Sequence, residues 1–305
     1  MRQKLYIASI ILLAGFLPVK AQQLSLLSFF SQNQTYYNPA ATGNHEALAA
    51  NFFYKESWIG MPGAASTQVF SVHAPMKNPK IALGILVEHE SIGITGYTSL
   101  HASYAYRLSI GNSKLAFALR AGIVNGAHSD ITYRSEEYDP VLEEDNMRFW
   151  VPDFGFGVLY TGSMYWVGLS VPGFFGFETN ETGRFALKAG PEYLDFYLSG
   201  GANLKFNPDW GLEPSLMLQY NPVFTPQVTI NALGVFKDAY RAGFGYRHKE
   251  AIIMLVSISI NRQFAVGYSY DLNIGETSDY TSGSHEINVH YKFGYKVNAS
   301  NPRGF

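Results

Sequence analysis

From about residue 45 to residue 296 the chain alternates apolar and polar positions with a period of two. In 263–272, Phe264, Val266, Tyr268, Tyr270 and Leu272 alternate with Gln263, Ala265, Gly267, Ser269 and Asp271. In 286–296, Ile287, Val289, Tyr291, Phe293 and Tyr295 alternate with Glu286, Asn288, His290, Lys292, Gly294 and Lys296. In 114–123, Leu115, Phe117, Leu119, Ala121 and Ile123 oppose Lys114, Ala116, Ala118, Arg120 and Gly122. Successive side chains of a strand point to opposite faces, so each run predicts a strand with one greasy face and one small or charged face. About fourteen such segments can be marked, near 46–57, 66–74, 80–89, 96–109, 113–125, 150–161, 164–172, 192–206, 210–220, 227–236, 239–248, 250–260, 263–272 and 284–296.

The connections alternate in length. Those after even-numbered segments are tight and carry turn residues, as in Lys77-Asn78-Pro79, Gly111-Asn112-Ser113 and Asn207-Pro208-Asp209. Several after odd-numbered segments are longer, notably 126–149, 173–191 and 273–283. This asymmetry predicts an all-β fold, a transmembrane antiparallel β-barrel of about 14 strands with short periplasmic turns and longer external loops. An N-terminus on the periplasmic side follows from the same pattern. The physical reason for closure is that every backbone N–H and C=O needs a partner in hydrocarbon, so a sheet spans a bilayer only when it has no edge. Tyr104, Tyr106, Tyr160, Tyr165 and Trp166, near segment ends, are candidates for the interfacial aromatic girdles.

Composition sharpens this reading. The 305 residues are 47% hydrophobic but only 15% charged, against about 25% in ordinary globular domains, and the mean hydropathy is close to zero. A soluble β-sandwich would explain the alternation but would carry more charge on its solvent face. The 21 Tyr, 22 Phe and 29 Gly exclude intrinsic disorder. With 22 basic against 24 acidic residues and no basic block, no nucleic-acid partner is expected.

Residues 1–21 read as a secretory signal peptide. Arg2 and Lys4 precede an apolar stretch from Leu5 to Leu17, and Val19-Lys20-Ala21 supplies a cleavage site. That apolar stretch is too short to span about 30 Å of hydrocarbon. With no cysteine, a lipid-modified cysteine, a disulfide framework and thiol catalysis are all excluded. The chain therefore divides into a signal peptide (1–21), an N-terminal periplasmic or plug segment (22–44), an outer-membrane barrel (45–296) and a C-terminal tail (297–305).

Few constellations could carry chemistry, and neither catalytic residues, a metal site nor a cofactor is expected. The acidic run from Glu136 to Asp145 lacks the spacing and glycine of a calcium loop and reads as a solvated outer loop. Ser284 and His285 are adjacent on a strand and point to opposite faces, so they cannot cooperate as nucleophile and base. No G-x-S-x-G turn occurs. Arg120, Glu213, Arg241, Arg247, Asp271 and Lys292 fall on the polar side of their strands, with Glu286, and are the candidate lumen charges. Pairing across the lumen would satisfy them; a selectivity constriction is the sharper alternative.

At Asn38-Pro39-Ala40-Ala41-Thr42-Gly43 the sequence resembles the "NPAYAG" opening of the PorP/SprF family of type IX secretion system membrane proteins. Tyr54-Lys55-Glu56-Ser57-Trp58-Ile59-Gly60, then Gly63-Ala64, Thr67-Gln68 and Ser71 to Pro75, are similar to a second family stretch. Gly267-Tyr268-Ser269-Tyr270-Asp271 and Ser284-His285-Glu286 close the series. The family-motif positions are therefore Asn38, Pro39, Ala40, Gly43, Trp58, Gly60, Ser284, His285 and Glu286. The resemblance implies a non-enzymatic barrel in the outer membrane of a Gram-negative bacterium of the Bacteroidota. Its implied partners are outer-membrane lipid and type IX secretion components or a secreted adhesin used in gliding, whose secretion or surface anchoring it would support. A passive or gated channel for small solutes is the alternative reading.

Overall fold

The computed structural model describes residues 26–93, 95–128, 148–179, 185–190, 194–222, 225–275 and 277–296. Its strands in chain order are β1 (Ala47–Glu56), β2 (Ser66–Pro75), β3 (Ile81–Ile92), β4 (Thr95–Ile110), β5 (Ser113–His128), β6 (Arg148–Thr161), β7 (Tyr165–Val171), β8 (Phe175–Thr179) and β9 (Phe185–Ala189). The second half adds β10 (Phe196–Ala202), β11 (Leu204–Lys205), β12 (Trp210–Tyr220), β13 (Gln227–Phe236), β14 (Tyr240–Arg247), β15 (Ala251–Ser259), β16 (Phe264–Asn273) and β17 (Ser284–Lys296). Each pairs antiparallel with its sheet neighbours, and β1 pairs with β17. The sheet closes because β10 bonds to both β7 and β12. The result is a closed barrel of fourteen strands. The two-residue β11 continues β10 beyond Asn203 in the same register, with Gly201 opposite Ser215 and Leu204 opposite Leu212.

All fourteen segments predicted from the alternation are barrel strands. Strands β3 to β5 run further toward the external side than the alternation suggested, so only residues 93 and 94 separate β3 from β4. The hairpin of β8 and β9 within the 173–191 connection was not anticipated, since strands of five residues leave little periodicity to read. The acidic run 136–145 and the tail 297–305 lie outside the described residues.

The two faces of each strand meet different media. Leu83, Ile85 and Val87 on β3, and Ile252, Met254, Val256 and Ile258 on β15, are exposed on the outer surface. Their inward neighbours Ala82, Leu86, Ala251, Ile253 and Leu255 are buried. Short turns fix the register at one rim. Gly111 has φ +59° at the first central position of the β4–β5 turn, and Lys237 and Asp238 both take φ +53° between β13 and β14. Left-handed residues at these positions match the twist of the flanking strands. Tyr165, Trp210 and Tyr240 stand exposed near this rim, as a girdle requires. Trp166 corrects the girdle expectation: it is 9% exposed and packs inward with Leu159 and a group of alanines. Its position, next to outward Tyr165, puts it on the lumen side of the pleat.

The barrel is not hollow. Residues 26–46 run through its interior, with a one-turn helix α1 (Gln34–Tyr37) and a 3₁₀ turn (Pro39–Ala41). Glu46 pairs with Lys114 beside the short β4–β5 turn, whereas the Leu26 carbonyl is held by Lys55 and Arg247, at the opposite ends of their strands. The chain thus enters β1 from the periplasmic rim, but its described start lies toward the external side. Residues 26–46 thus occupy the lumen.

The outward alternation makes a depth-dependent prediction. Leu119, 65% exposed and near the middle of β5, should cost about 2–4 kcal/mol when replaced by arginine. Leu108, close to the β4–β5 turn, should cost only about 0–1 kcal/mol. Denaturant unfolding in lipid vesicles, followed by heat-modifiable gel migration, measures the difference; equal costs would contradict the assigned outer face.

Candidate functional site

The interior segment and the wall that holds it form the one elaborate constellation among the described residues. Its lower half rests on small side chains. Ala40 and Ala41 are buried against Ala82, Ala105, Ala116 and Ala118. The Asn38 side chain accepts from the Ala40 N–H at 2.9 Å and donates to the Val158 carbonyl at 3.0 Å. A side chain at Gly157 would place its Cβ 2.1 Å from Asn38 Oδ1, so glycine is required where the segment presses on β6. Gly43 has φ +77°, donates its N–H to His73 Nδ1 at 3.0 Å and accepts from Arg107 at 2.7 Å. The motif positions Asn38, Pro39, Ala40 and Gly43 are thus the narrow part of the insert. The small inward residues of β3 to β7 are the groove that receives them.

The middle is held by backbone carbonyls and ring hydroxyls. Arg120 donates to the carbonyls of Tyr36, at 3.0 Å, and Thr35. Tyr36 donates to Glu88 at 2.6 Å, and the Tyr37 hydroxyl accepts from the Leu27 N–H at 2.7 Å. Burial pushes both phenols well above their ordinary value, so they remain protonated.

The upper end is a buried ionic anchor. Asp271 accepts from Lys55 at 2.8 Å, from Arg247 at 3.0 Å and from the Ser28 hydroxyl at 2.6 Å. Lys55 and Arg247 also donate to the Leu26 carbonyl, at 2.6 and 2.9 Å. Glu286 accepts the N–H groups of Ser28 and Phe29, at 2.6 and 3.2 Å, and Asn231 donates to the Ser28 carbonyl at 2.8 Å. The backbone of residues 26–29 therefore finds on the barrel wall the partners a strand would find on a neighbour. Around the anchor, Leu26, Leu27 and Phe30 pack with Phe53, Val69, Leu86, Tyr197 and Met217, and Phe29 packs with Leu233, Ile253 and Leu255. Each fully buried side chain of this kind contributes about 1.5–3 kcal/mol relative to exposure.

The candidate lumen charges all lie on the inner face, in three separate roles. Arg247 and Asp271 belong to the anchor and Arg120 to the middle. Glu213 and Arg241 pair at 3.2 Å near the periplasmic side, where Lys292 also lies. Alternation alone missed Lys55, although it follows Asn51 and Phe53 on one face of β1. It also missed Ser28 and Glu88. Trp58 and Gly60 lie instead on the external β1–β2 loop, where the Trp58 N–H meets Ser284 Oγ at 3.1 Å. His285 faces outward and meets the Tyr268 hydroxyl at 2.5 Å, on the opposite side of β17 from buried Ser284.

Between the insert and strands β12, β14 to β17, β1 and β2 lies a polar cavity of about 270 Å³. His45, His73 and His290 gather on one side of it, with ring centroids 5.4 Å apart for His45–His73 and 4.7 Å for His45–His290. Desolvation, and then the like charge that His73 and His290 would carry, lower the His45 imidazole well below its ordinary value.

A family model described as type IX secretion system membrane protein PorP/SprF matches residues 19–291. No curated protein matches the sequence. Among solved structures, the CymD monoaromatic hydrocarbon channel is similar with a TM-score of 0.50 at 12% identity, over 87% of this chain and 93% of that one. The Acinetobacter baumannii outer membrane protein Omp33 is similar at 6% identity and a TM-score of 0.46, over 81% of this chain and 96% of that one. A Pseudomonas aeruginosa FadL homologue is similar at 11% identity and a TM-score of 0.44, over 84% and 93%.

Two outcomes are expected of the anchor and the histidines. Asp271→Asn leaves Lys55 without its ion pair and Arg247 with Glu250 alone, and should destabilise the barrel by about 3–5 kcal/mol, with residues 26–46 becoming cleavable by added protease. Unchanged stability and protection would show that the anchor is not holding the insert. A neutral His45 gives stability that is complete above about pH 6.5, the value in the unfolded chain, and falls as the pH drops below it. His45→Gln should flatten part of this slope in thermal unfolding scans between pH 7.5 and 5.

Proposed function

This chain belongs to the PorP/SprF family of type IX secretion system membrane proteins and is a β-barrel of the outer membrane, and on that premise we propose that it acts as a plugged, non-enzymatic platform. It supports secretion or surface anchoring of an exported partner, such as a gliding adhesin, by binding rather than by conduction or turnover. The observation that carries this reading is the filled lumen. Residues 26–46 are tied to the wall along their length by Lys55, Arg120, Arg247 and Glu286. A conduit needs an aqueous path, whereas here the middle of the barrel holds packed phenylalanine, leucine and tyrosine side chains.

Binding would fall to the two rims. On the external side the β1–β2 loop is laid against the β16–β17 connection: the Ile59 N–H donates to the Gly283 carbonyl, the Ile59 carbonyl accepts from the Ser282 N–H, and Tyr280 is 72% exposed. An exposed aromatic on a braced loop is the kind of group that anchors protein interfaces. The connections 126–149, 173–191 and 273–283 are the external docking candidates, and the periplasmic rim is available to the secretion machinery.

The reading predicts that the full-length barrel is silent in planar bilayers, and that removing residues 26–44 of the exported chain produces stepwise conductance. It also predicts that the tagged wild-type protein, solubilised from its native outer membrane, brings down secretion components or a large exported protein identifiable by mass spectrometry. Steady wild-type conductance with no such partner would favour the solute channel and overturn the platform.

A further inference from the structure

The cavity beside the insert carries a charge that no described residue balances. Its lining includes three basic side chains besides histidine, Arg241, Arg262 and Lys292, against one carboxylate, Glu213, a formal excess of two positive charges in a chain whose net charge is −2. Glu213 is engaged by Arg241. Lys292 and Arg262 have no ion pair among the described residues. Asn261 and Arg262 lie on the short β15–β16 turn, so the cavity sits at the periplasmic mouth.

Its inner wall presents buried polar atoms without partners, two of them donors, beside the amide oxygen of Gln34 and the Thr35 hydroxyl. His73 is 2% exposed, and its Nδ1 is occupied by the Gly43 N–H at 3.0 Å. In a neutral ring the proton must then sit on Nε2, and that nitrogen is buried without a partner. Gln32 Nε2, from the insert, is likewise buried and unpartnered on the same cavity. The tautomer also decides against a metal: with Nδ1 accepting a backbone N–H, His73 offers the cavity a proton rather than a lone pair. Buried donors and unpaired cations around one polar space are a site for an acceptor carrying negative charge.

We propose that this cavity receives carboxylate side chains of an acidic peptide segment presented from the periplasm. Lys292 and Arg262 supply the charge, and His73 and Gln32 supply directed hydrogen bonds. The volume suits a few side chains and excludes a folded domain, so the partner would insert an extended acidic stretch into the mouth. The cavity opens on the lumen side of β14 to β17, away from the lipid-facing residues, which sets it apart from a lipid headgroup site. The choice of a peptide over a free solute rests on the platform reading above; the positive site itself does not.

The test is a fluorescence-anisotropy titration of a labelled hexaglutamate peptide against the full-length protein in detergent at low salt. Saturable binding that weakens as salt rises is expected, with a loss of at least about tenfold in Lys292→Gln/Arg262→Gln. Lys77→Gln/Lys80→Gln, on the exposed β2–β3 turn of the same rim, should bind as wild type. Heat-modifiable migration verifies that both variants are folded. No saturable binding, or equal loss in both variants, would overturn the site. Displacement of the peptide by micromolar inorganic phosphate, but not by sodium chloride of equal ionic strength, would replace the carboxylate assignment with a phosphate site. This titration is independent of the conductance and co-purification measurements, so failure of either reading is visible without the other.

Discussion

In a bilayer the peptide backbone has no water to bond to, and this constraint dictates the rest of the molecule. Each strand must find two neighbours, so the sheet has to close, and it does so where the seven residues of β10 bridge β7 and β12. Closure fixes which face of every strand meets lipid. A one-residue slip would turn Ile252, Met254, Val256 and Ile258 inward and Ala251, Ile253 and Leu255 outward, exchanging a fitted interior for a misfit on both sides. The left-handed residues at Gly111, Lys237 and Asp238 pin the register at the short-turn rim.

The interior segment obeys the same constraint by a different route. Residues 26–29 form no strand in the sheet, yet their N–H and C=O groups are satisfied by Lys55, Arg247, Glu286 and Asn231 from the wall. Taking these charges out of water is costly, and their mutual pairing offsets the cost only with good geometry. Asp271, shared by two cations and a hydroxyl, provides that geometry. The cluster accepts the segment in one register, because moving it by a residue would take the Ser28 and Phe29 N–H groups from Glu286, the Ser28 hydroxyl from Asp271 and the Leu26 carbonyl from Lys55 and Arg247. The glycines and alanines of β3 to β7 act on the same choice sterically.

The filled lumen is what the proposed platform rests on. The barrel's similarity to channel structures is a similarity of fold. The remaining free volume is concentrated on the periplasmic side, where positive charge and unpartnered donors gather. The external side instead carries braced loops and exposed aromatic residues. The two rims thus differ in chemistry, as the proposed platform requires.

The strand count, the inward and outward faces and the long-loop asymmetry were all legible in the order of residues, because period-two alternation and turn composition are local signals. The inner placement of Arg120, Glu213, Arg241, Arg247, Asp271 and Lys292 could be read for the same reason. Which of them meet could not. Lys55, Asp271 and Ser28 are separated by as many as 243 positions, and only closure of the sheet around the insert brings them within bonding distance. Trp166 shows the same limit: its aromatic character suggested a girdle, but its pleat parity next to outward Tyr165 turned it into the lumen. The sequence by itself determined that this chain is a membrane barrel, since each strand carries its own two-faced pattern. That the barrel is plugged, and where its unpaired charge collects, was decided by tertiary structure, because those properties belong to contacts between residues far apart in the chain.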